Sequence, residues 1–189
     1  MSDLADTIQE SASHSHETKL NAWIAIWVAI TATFMALCNV KDGNIVQAMQ
    51  QSQAKGIDAW SFYQAKSTKE SIVQNNIEML KVMKPAGYEA LVAKQEEQVE
   101  RYEKEKADIK KQAEGYQKDY DAINVFDDQF DMTDALLSIS IALFGITSLT
   151  RKKWLYYFSI GASSIGIILG LAAFMKVSLH SDLISSILG

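Results

Sequence analysis

Three stretches of the chain are apolar and almost free of charge, and the charged residues crowd between the first two of them. The stretches cover residues 20–40, 132–150 and 154–175. An α-helix needs about 20 apolar residues to cross the hydrocarbon layer of a membrane. We therefore predict three transmembrane helices. The last two form an antiparallel pair, because only residues 151–153 separate them.

The region between the first two stretches, residues 41–131, has the composition of long helices. It is rich in Gln, Ala, Lys, Glu and Met, and its single break is Lys84-Pro85-Ala86-Gly87. We predict an antiparallel hairpin that turns at residues 84–87. The flanking segments, 1–19 and 176–189, are interpreted as a polar, disordered amino-terminal tail and a short carboxy-terminal tail. The fold class is all-α.

The second arm of this predicted hairpin has a seven-residue period, which is typical of a coiled coil. Folding the first arm back about Pro85 predicts that Tyr63 lies near Ile109 and that Gly56 faces Tyr116. One set of seam positions contains Tyr88, Gln95, Tyr102, Ile109, Tyr116, Ile123 and Phe130. The set four residues further on contains Val92, Val99, Ala113 and Tyr120, and Lys106 interrupts it.

Residues 58–70, DAWSFYQAKSTKE, resemble the WxxYQAK segment of a family of small bacterial membrane proteins classed only as a domain of unknown function. The resemblance extends to the layout of one anchor, a helical middle and two closing anchors. It implies a bacterial inner membrane and a similar fold, and it supplies no mechanism. Trp60, Tyr63 and Lys66 share a helical face, which suggests a recognition patch for a protein partner. We favour the alternative that the aromatic rings of Trp60 and Tyr63 belong to the hairpin core and that Lys66 pairs with Glu105.

Two further patterns suggest sites. Asp127, Asp131 and Asp134 share a face before the second anchor, where a ring of carboxylates in an oligomer would attract cations. A hydrated helix entering the headgroup region explains them more simply. Ala162, Gly166 and Gly170 form a small-residue stripe on the third anchor. It serves either dimerisation or the seating of the second anchor near Gly145.

No catalytic constellation, nucleotide-binding loop or zinc-ligand spacing is present, so we predict no enzyme, cofactor or metal site. His14 and His16 alone are weak evidence for a metal. The formal net charge of −5 at pH 7 argues against nucleic acid. Arg151, Lys152 and Lys153 orient the short loop to the cytoplasm, which leaves the amino terminus cytoplasmic and the hairpin periplasmic.

The expected partners are membrane lipid, further copies of the chain and a protein bound at the hairpin. The leading hypothesis is a non-enzymatic oligomeric scaffold or interaction module. The alternative is a channel-like assembly whose second anchor lines a pore with Ser138, Ser140, Thr147 and Ser148.

Overall fold

The computed structural model describes the backbone of residues 2–179 and the side chains of residues 19–179. It contains three helices, α1 (Ser2–Met83), α2 (Tyr88–Thr150) and α3 (Lys153–Phe174), and no strand within the described residues. The all-α prediction is therefore confirmed. The side chains of the amino-terminal tail, including His14 and His16, and most of the tail at 176–189 lie outside the described residues.

The chain divides into two compact units. We call residues 1–46 with 124–189 the anchor unit, and residues 47–123 the arm unit. All three predicted membrane segments belong to the anchor unit. The three helices are long and apolar enough to cross a membrane, with mean hydropathies of 1.9, 1.6 and 1.8 in their most apolar windows.

The anchor unit has a small interior lined by apolar and small hydroxyl side chains. Cys38, Phe130 and Ala173 form a buried cluster, with Phe34 and Ile45 packed against it. Thr31 of α1 and Ser163 of α3 are both buried and hydrogen-bond to each other at 2.8 Å. The outer surface is apolar and exposed, as expected for helices in contact with lipid. It includes Trp23, Ile30, Ile139, Phe158 and Ile168.

The turn between α2 and α3 is as short as the sequence predicts. Arg151 adopts a left-handed conformation with φ 57°, and its backbone N–H donates to the carbonyl of Thr147 at 2.8 Å. The carbonyl of Lys152 accepts from the N–H groups of Leu155 and Tyr156 at the start of α3. These bonds satisfy backbone groups that helix ends otherwise leave without partners.

In the arm unit, residues 84–87 connect the end of α1 to the start of α2. Lys84 and Gly87 have positive φ angles of 44° and 75°, and the N–H of Tyr88 donates to the carbonyl of Pro85 at 3.0 Å. The buried apolar positions of α2 include residues from both predicted seam registers, and two apolar α1 residues are also buried in this unit. They are Val92, Tyr102, Ile109 and Ala113 on α2, with Met49 and Ile77 on α1. The coiled coil itself stays a prediction.

Candidate interaction sites

The middle of the arm unit is joined by two ion pairs between α1 and α2. The first is the pair expected if the predicted patch belongs to the hairpin core, in which the Nζ of Lys66 donates to the Glu105 carboxylate. Only 18% of the Lys66 side chain is exposed, and its Nζ lies 5.3 Å from the centre of the Tyr102 ring. The hydrogen bond from Lys66 lowers the pKa of Glu105.

The second pair joins Glu70 to Lys106, and Glu70 is buried, with 7% of its surface exposed. The Nζ of Lys106 also lies 5.8 Å from the centre of the Tyr63 ring. The hydrogen bond to Glu70 raises the pKa of Lys106. Lys106 is the residue that interrupts the seam, so its carboxylate partner explains the interruption. The sequence analysis missed Glu70, although a lysine at a seam position calls for an acid on the facing helix.

The predicted patch of Trp60, Tyr63 and Lys66 is therefore divided between two environments. Tyr63 and Lys66 take part in the contacts between the arms, whereas Trp60 keeps 41% of its surface exposed. The rings of Trp60 and Tyr63 meet edge to face, with centroids 5.6 Å apart. Of the three residues, Trp60 is the one that remains available to a partner.

A cleft of about 270 Å³ lies next to Trp60 in the arm unit. Gly56 faces Tyr116 across it, and a Cβ at Gly56 would lie 3.8 Å from the Cβ of Tyr116. This facing pair is the one that the folded-back register predicts. Ser52 and Tyr120 also line the cleft, so small residues on α1 stand opposite tyrosines on α2.

In the anchor unit, Asp42 of α1 lies near the three predicted carboxylates of α2, Asp127, Asp131 and Asp134. Burial, together with the nearby charges of Asp127 and Asp131, raises the pKa of Asp42 to about 6. Burial and the neighbouring aspartates also raise the pKa values of Asp127 and Asp131. No group of three or more potential ligands among the described residues is placed to hold a metal ion. Within one chain, these carboxylates form an acidic cluster whose neighbouring charges repel one another, and a ring formed by several copies stays a prediction.

The small-residue stripe of α3 packs inside the chain. A Cβ at Gly166 would lie 2.8 Å from the Cδ2 of Leu137, and a Cβ at Gly170 would lie 2.7 Å from the Cε1 of Phe34. Both glycines are buried, and Ala162 is half-buried. The stripe thus seats α1 and α2 against α3. Gly145 has no atom within 4 Å of a Cβ and takes no part in this seat.

The hydroxyl groups proposed to line a pore make bonds within the chain. Ser140 and Thr147 are fully buried and donate to the carbonyls of Leu136 and Leu143 in their own helix. Ser148 hydrogen-bonds to the side chain of Asn21 at 3.3 Å. Ser138 is exposed and makes a 3.9 Å contact with the sulfur of Met35.

Gln129 is a buried polar residue that the sequence analysis missed. Its Nε2 donates to the carbonyls of Leu169 and Val177 at 3.0 and 3.3 Å, and its Oε1 accepts from the N–H of Leu179 at 3.2 Å. One amide thus holds both the last turns of α3 and the segment that follows. An uncharged amide in a run of aspartates gave no signal of this role.

These features define an all-α protein with three helices long and apolar enough to span a membrane. The chain belongs to the family described as a domain of unknown function, DUF4337, whose model matches residues 20–176. The resemblance to an uncharacterised family is thereby confirmed. No curated protein and no solved structure matches the chain.

Proposed function

We propose that this protein is a non-enzymatic membrane scaffold, which forms homo-oligomers and presents the arm unit as a coiled-coil hairpin for protein interaction. The supporting observation is the set of large apolar side chains that α1 leaves exposed in the arm unit. Soluble proteins rarely expose contiguous apolar surface unless another molecule covers it. The set includes Ile57, Trp60, Phe62, Ile72 and Met79.

The anchor unit supports a scaffold better than a channel. A conduction path requires polar groups that face a shared lumen. Here Ser140 and Thr147 bond to their own helix in the interior of a single chain, and Thr31 bonds to Ser163. The hydroxyl groups of these four residues therefore have partners within a single chain, which supports the scaffold.

The proposed cellular setting is a bacterial inner membrane, with the amino terminus in the cytoplasm and the arm unit in the periplasm. The basis is the cluster of Arg151, Lys152 and Lys153 in the short α2–α3 turn, since positive short loops stay on the cytoplasmic side. A reporter enzyme that works only in the periplasm, inserted after Pro85, is expected to be active. Activity of only a cytoplasmic reporter at this site would contradict the orientation.

The function itself is tested with the full chain in lipid nanodiscs. Native mass spectrometry is expected to give a discrete species heavier than one chain, and planar bilayers containing the protein are expected to show no conductance. A strictly monomeric chain would refute the homo-oligomeric scaffold. A conductance lost on replacing Asp131 and Asp134 by Asn would favour the channel instead.

A further inference from the structure

One face of α1 in the arm unit is exposed, uncharged and continuous over six turns. We call it the uncharged stripe and define it as Ile57, Gln64, Thr68, Ile72, Asn75 and Met79. At 100° per residue, these positions fall within about 80° of the helix circumference. All six are exposed, including the large apolar side chains of Ile57, Ile72 and Met79. The stripe is opposite the α1 face that carries Lys66 and Glu70.

The outer face of α2 is different, because it carries charges of both signs. Glu97, Arg101, Lys104 and Asp108 are all exposed there. Such a face is well solvated, and it resists close approach by an identical face at the same level. The uncharged stripe, unlike the outer face of α2, can be buried against an identical surface without burying a charge.

We propose that the uncharged stripe is the contact through which a second copy of this chain pairs, in parallel, about a two-fold axis. This inference rests on the proposed function and names its surface. Two copies inserted in one membrane with the same topology hold equivalent residues at the same height. A two-fold axis along the membrane normal then brings each position of the stripe close to its own counterpart.

Facing an identical residue is a strict condition, because any charge would meet a like charge. The stripe satisfies it, since none of its positions is charged. Gln64 and Asn75 each carry a donor and an acceptor, so each can hydrogen-bond to its own counterpart. The hydroxyl of Thr68 already donates to the carbonyl of Gln64 at 3.0 Å, so Thr68 contributes an uncharged contact. Amides at the seam of parallel helices also select the register and the number of strands.

The size of the stripe favours a second copy over a soluble partner. From Ile57 to Met79 the helix rises roughly 33 Å, which at a helix width of about 10 Å gives a footprint of roughly 330 Å² per chain. A stable interface between freely diffusing proteins needs about 800 Å² per partner. Two copies held in one membrane need less, because their shared anchoring raises the effective concentration of one stripe near the other.

The test uses the full chain in nanodiscs and in native membranes. Cys38 is the only cysteine, so a Cys38→Ser background permits single cysteines elsewhere. Thr68→Cys and Asn75→Cys on the stripe are compared with Lys104→Cys on the outer face of α2. Because a disulfide requires Cβ atoms about 4 Å apart, oxidation is expected to crosslink the stripe variants to their own copies at least about tenfold faster than the control.

A second pair of variants introduces a charge and no new cysteine. Ile72→Glu places a carboxylate opposite its own copy and is expected to lower the dimer fraction, whereas Ala107→Glu adds the same group to the exposed outer face of α2 and leaves it unchanged. Circular dichroism checks that each variant keeps its helicity.

Stripe cysteines that crosslink no faster than Lys104→Cys would overturn the inference. Crosslinking of the stripe to a different protein in native membranes, without dimers in nanodiscs, would also overturn it. An oligomeric mass without stripe crosslinks would refute this surface and leave the proposed function standing. A monomeric mass would refute both.

Discussion

The buried glycine at residue 170 offers a sharp test of how the three anchors pack. In the variant Gly170→Ala, the new Cβ would lie 2.7 Å from the Cε1 of Phe34 and 3.0 Å from the Cγ2 of Thr133. Carbon atoms in normal contact are about 3.5–4.0 Å apart, so the methyl group would intrude by roughly 1 Å. Phe34 has little room to move, because its ring meets that of Phe174 with centroids 6.3 Å apart.

The expected cost is that of overpacking a well-filled interior, roughly 1–3 kcal/mol. For a chain of this length, each kcal/mol lowers the unfolding temperature by about 2–4 °C, so the midpoint should fall by roughly 2–12 °C. Gly161→Ala is the matched control on the same helix. Gly161 is exposed and has no atom within 4 Å of the position of a Cβ, so its midpoint should stay unchanged or rise slightly.

Cys38 provides the assay. It is the only cysteine, only 1% of its surface is exposed, and Phe34 packs against its cluster. A fluorogenic thiol reagent in mild detergent should therefore react when the anchor unit opens, and a thermal ramp gives the midpoint. Equal midpoints for Gly170→Ala and the unsubstituted chain would refute this packing, as would an equal loss in Gly161→Ala.

Three further outcomes are expected. Because the folded anchor unit holds the Asp42 proton up to about pH 6, against about pH 4 for a free aspartate, its thermal stability should decrease as the pH rises from 4 to 6. Asp42→Asn should flatten that profile. Gly87→Ala, at φ 75°, should cost about 1–2 kcal/mol in urea unfolding followed by circular dichroism. In the same assay, Lys106→Met should cost about 1–3 kcal/mol, since it leaves the buried Glu70 carboxylate without its cationic partner and with only the 3.4 Å hydrogen bond from Gln74.

Each of these has a control within the chain. If the thermal stability of Asp42→Asn depended on pH as strongly as that of the unsubstituted chain, the prediction for Asp42 would be contradicted. Gly115, with no atom within 4 Å of a Cβ, should be stabilised by about 0.5–1 kcal/mol on replacement by Ala, opposite in sign to Gly87→Ala. Lys81→Met removes an exposed pair with Glu96 and should cost less than about 1 kcal/mol. A loss in Lys81→Met equal to that in Lys106→Met would show that burial of the pair has no effect.

The sequence predicted those features that depend on local composition. Long uncharged runs indicate helices that can cross a membrane, and Pro85 with Gly87 indicates a break between helices. The Lys66–Glu105 pair also followed from the sequence, because folding two helices about a known turn fixes which residues face each other. Facing pairs in a hairpin can be predicted once the position of the turn is known.

The missed features depend on contacts between distant positions. The stripe of Gly166 and Gly170 is visible in the sequence, but its partners, Leu137 and Phe34, are not, since any apolar helix could fill the same groove. The position of Asp42 beside the other aspartates could have been predicted from the sequence. Asp42 follows the first anchor as Asp131 precedes the second, so two neighbouring anchors of opposite direction bring both residues to the same level.

The two ion pairs of the arm unit also bear on which face of α1 is exposed, and therefore on the uncharged stripe. A buried ion pair is a poor source of stability, because removing two charges from water offsets most of their attraction. An ion pair does, however, constrain the orientation of the helices that it joins. Glu70 reaches Lys106 only when α1 is rotated about its axis so that Glu70 faces α2. That rotation is the one that leaves Ile72 and its neighbours on the outside. We therefore infer that the two ion pairs select which face of α1 is offered to a second copy. Lys106→Met should then reduce crosslinking through Thr68→Cys even at temperatures where the arm unit stays helical, and unchanged crosslinking there would separate the ion pairs from the choice of face.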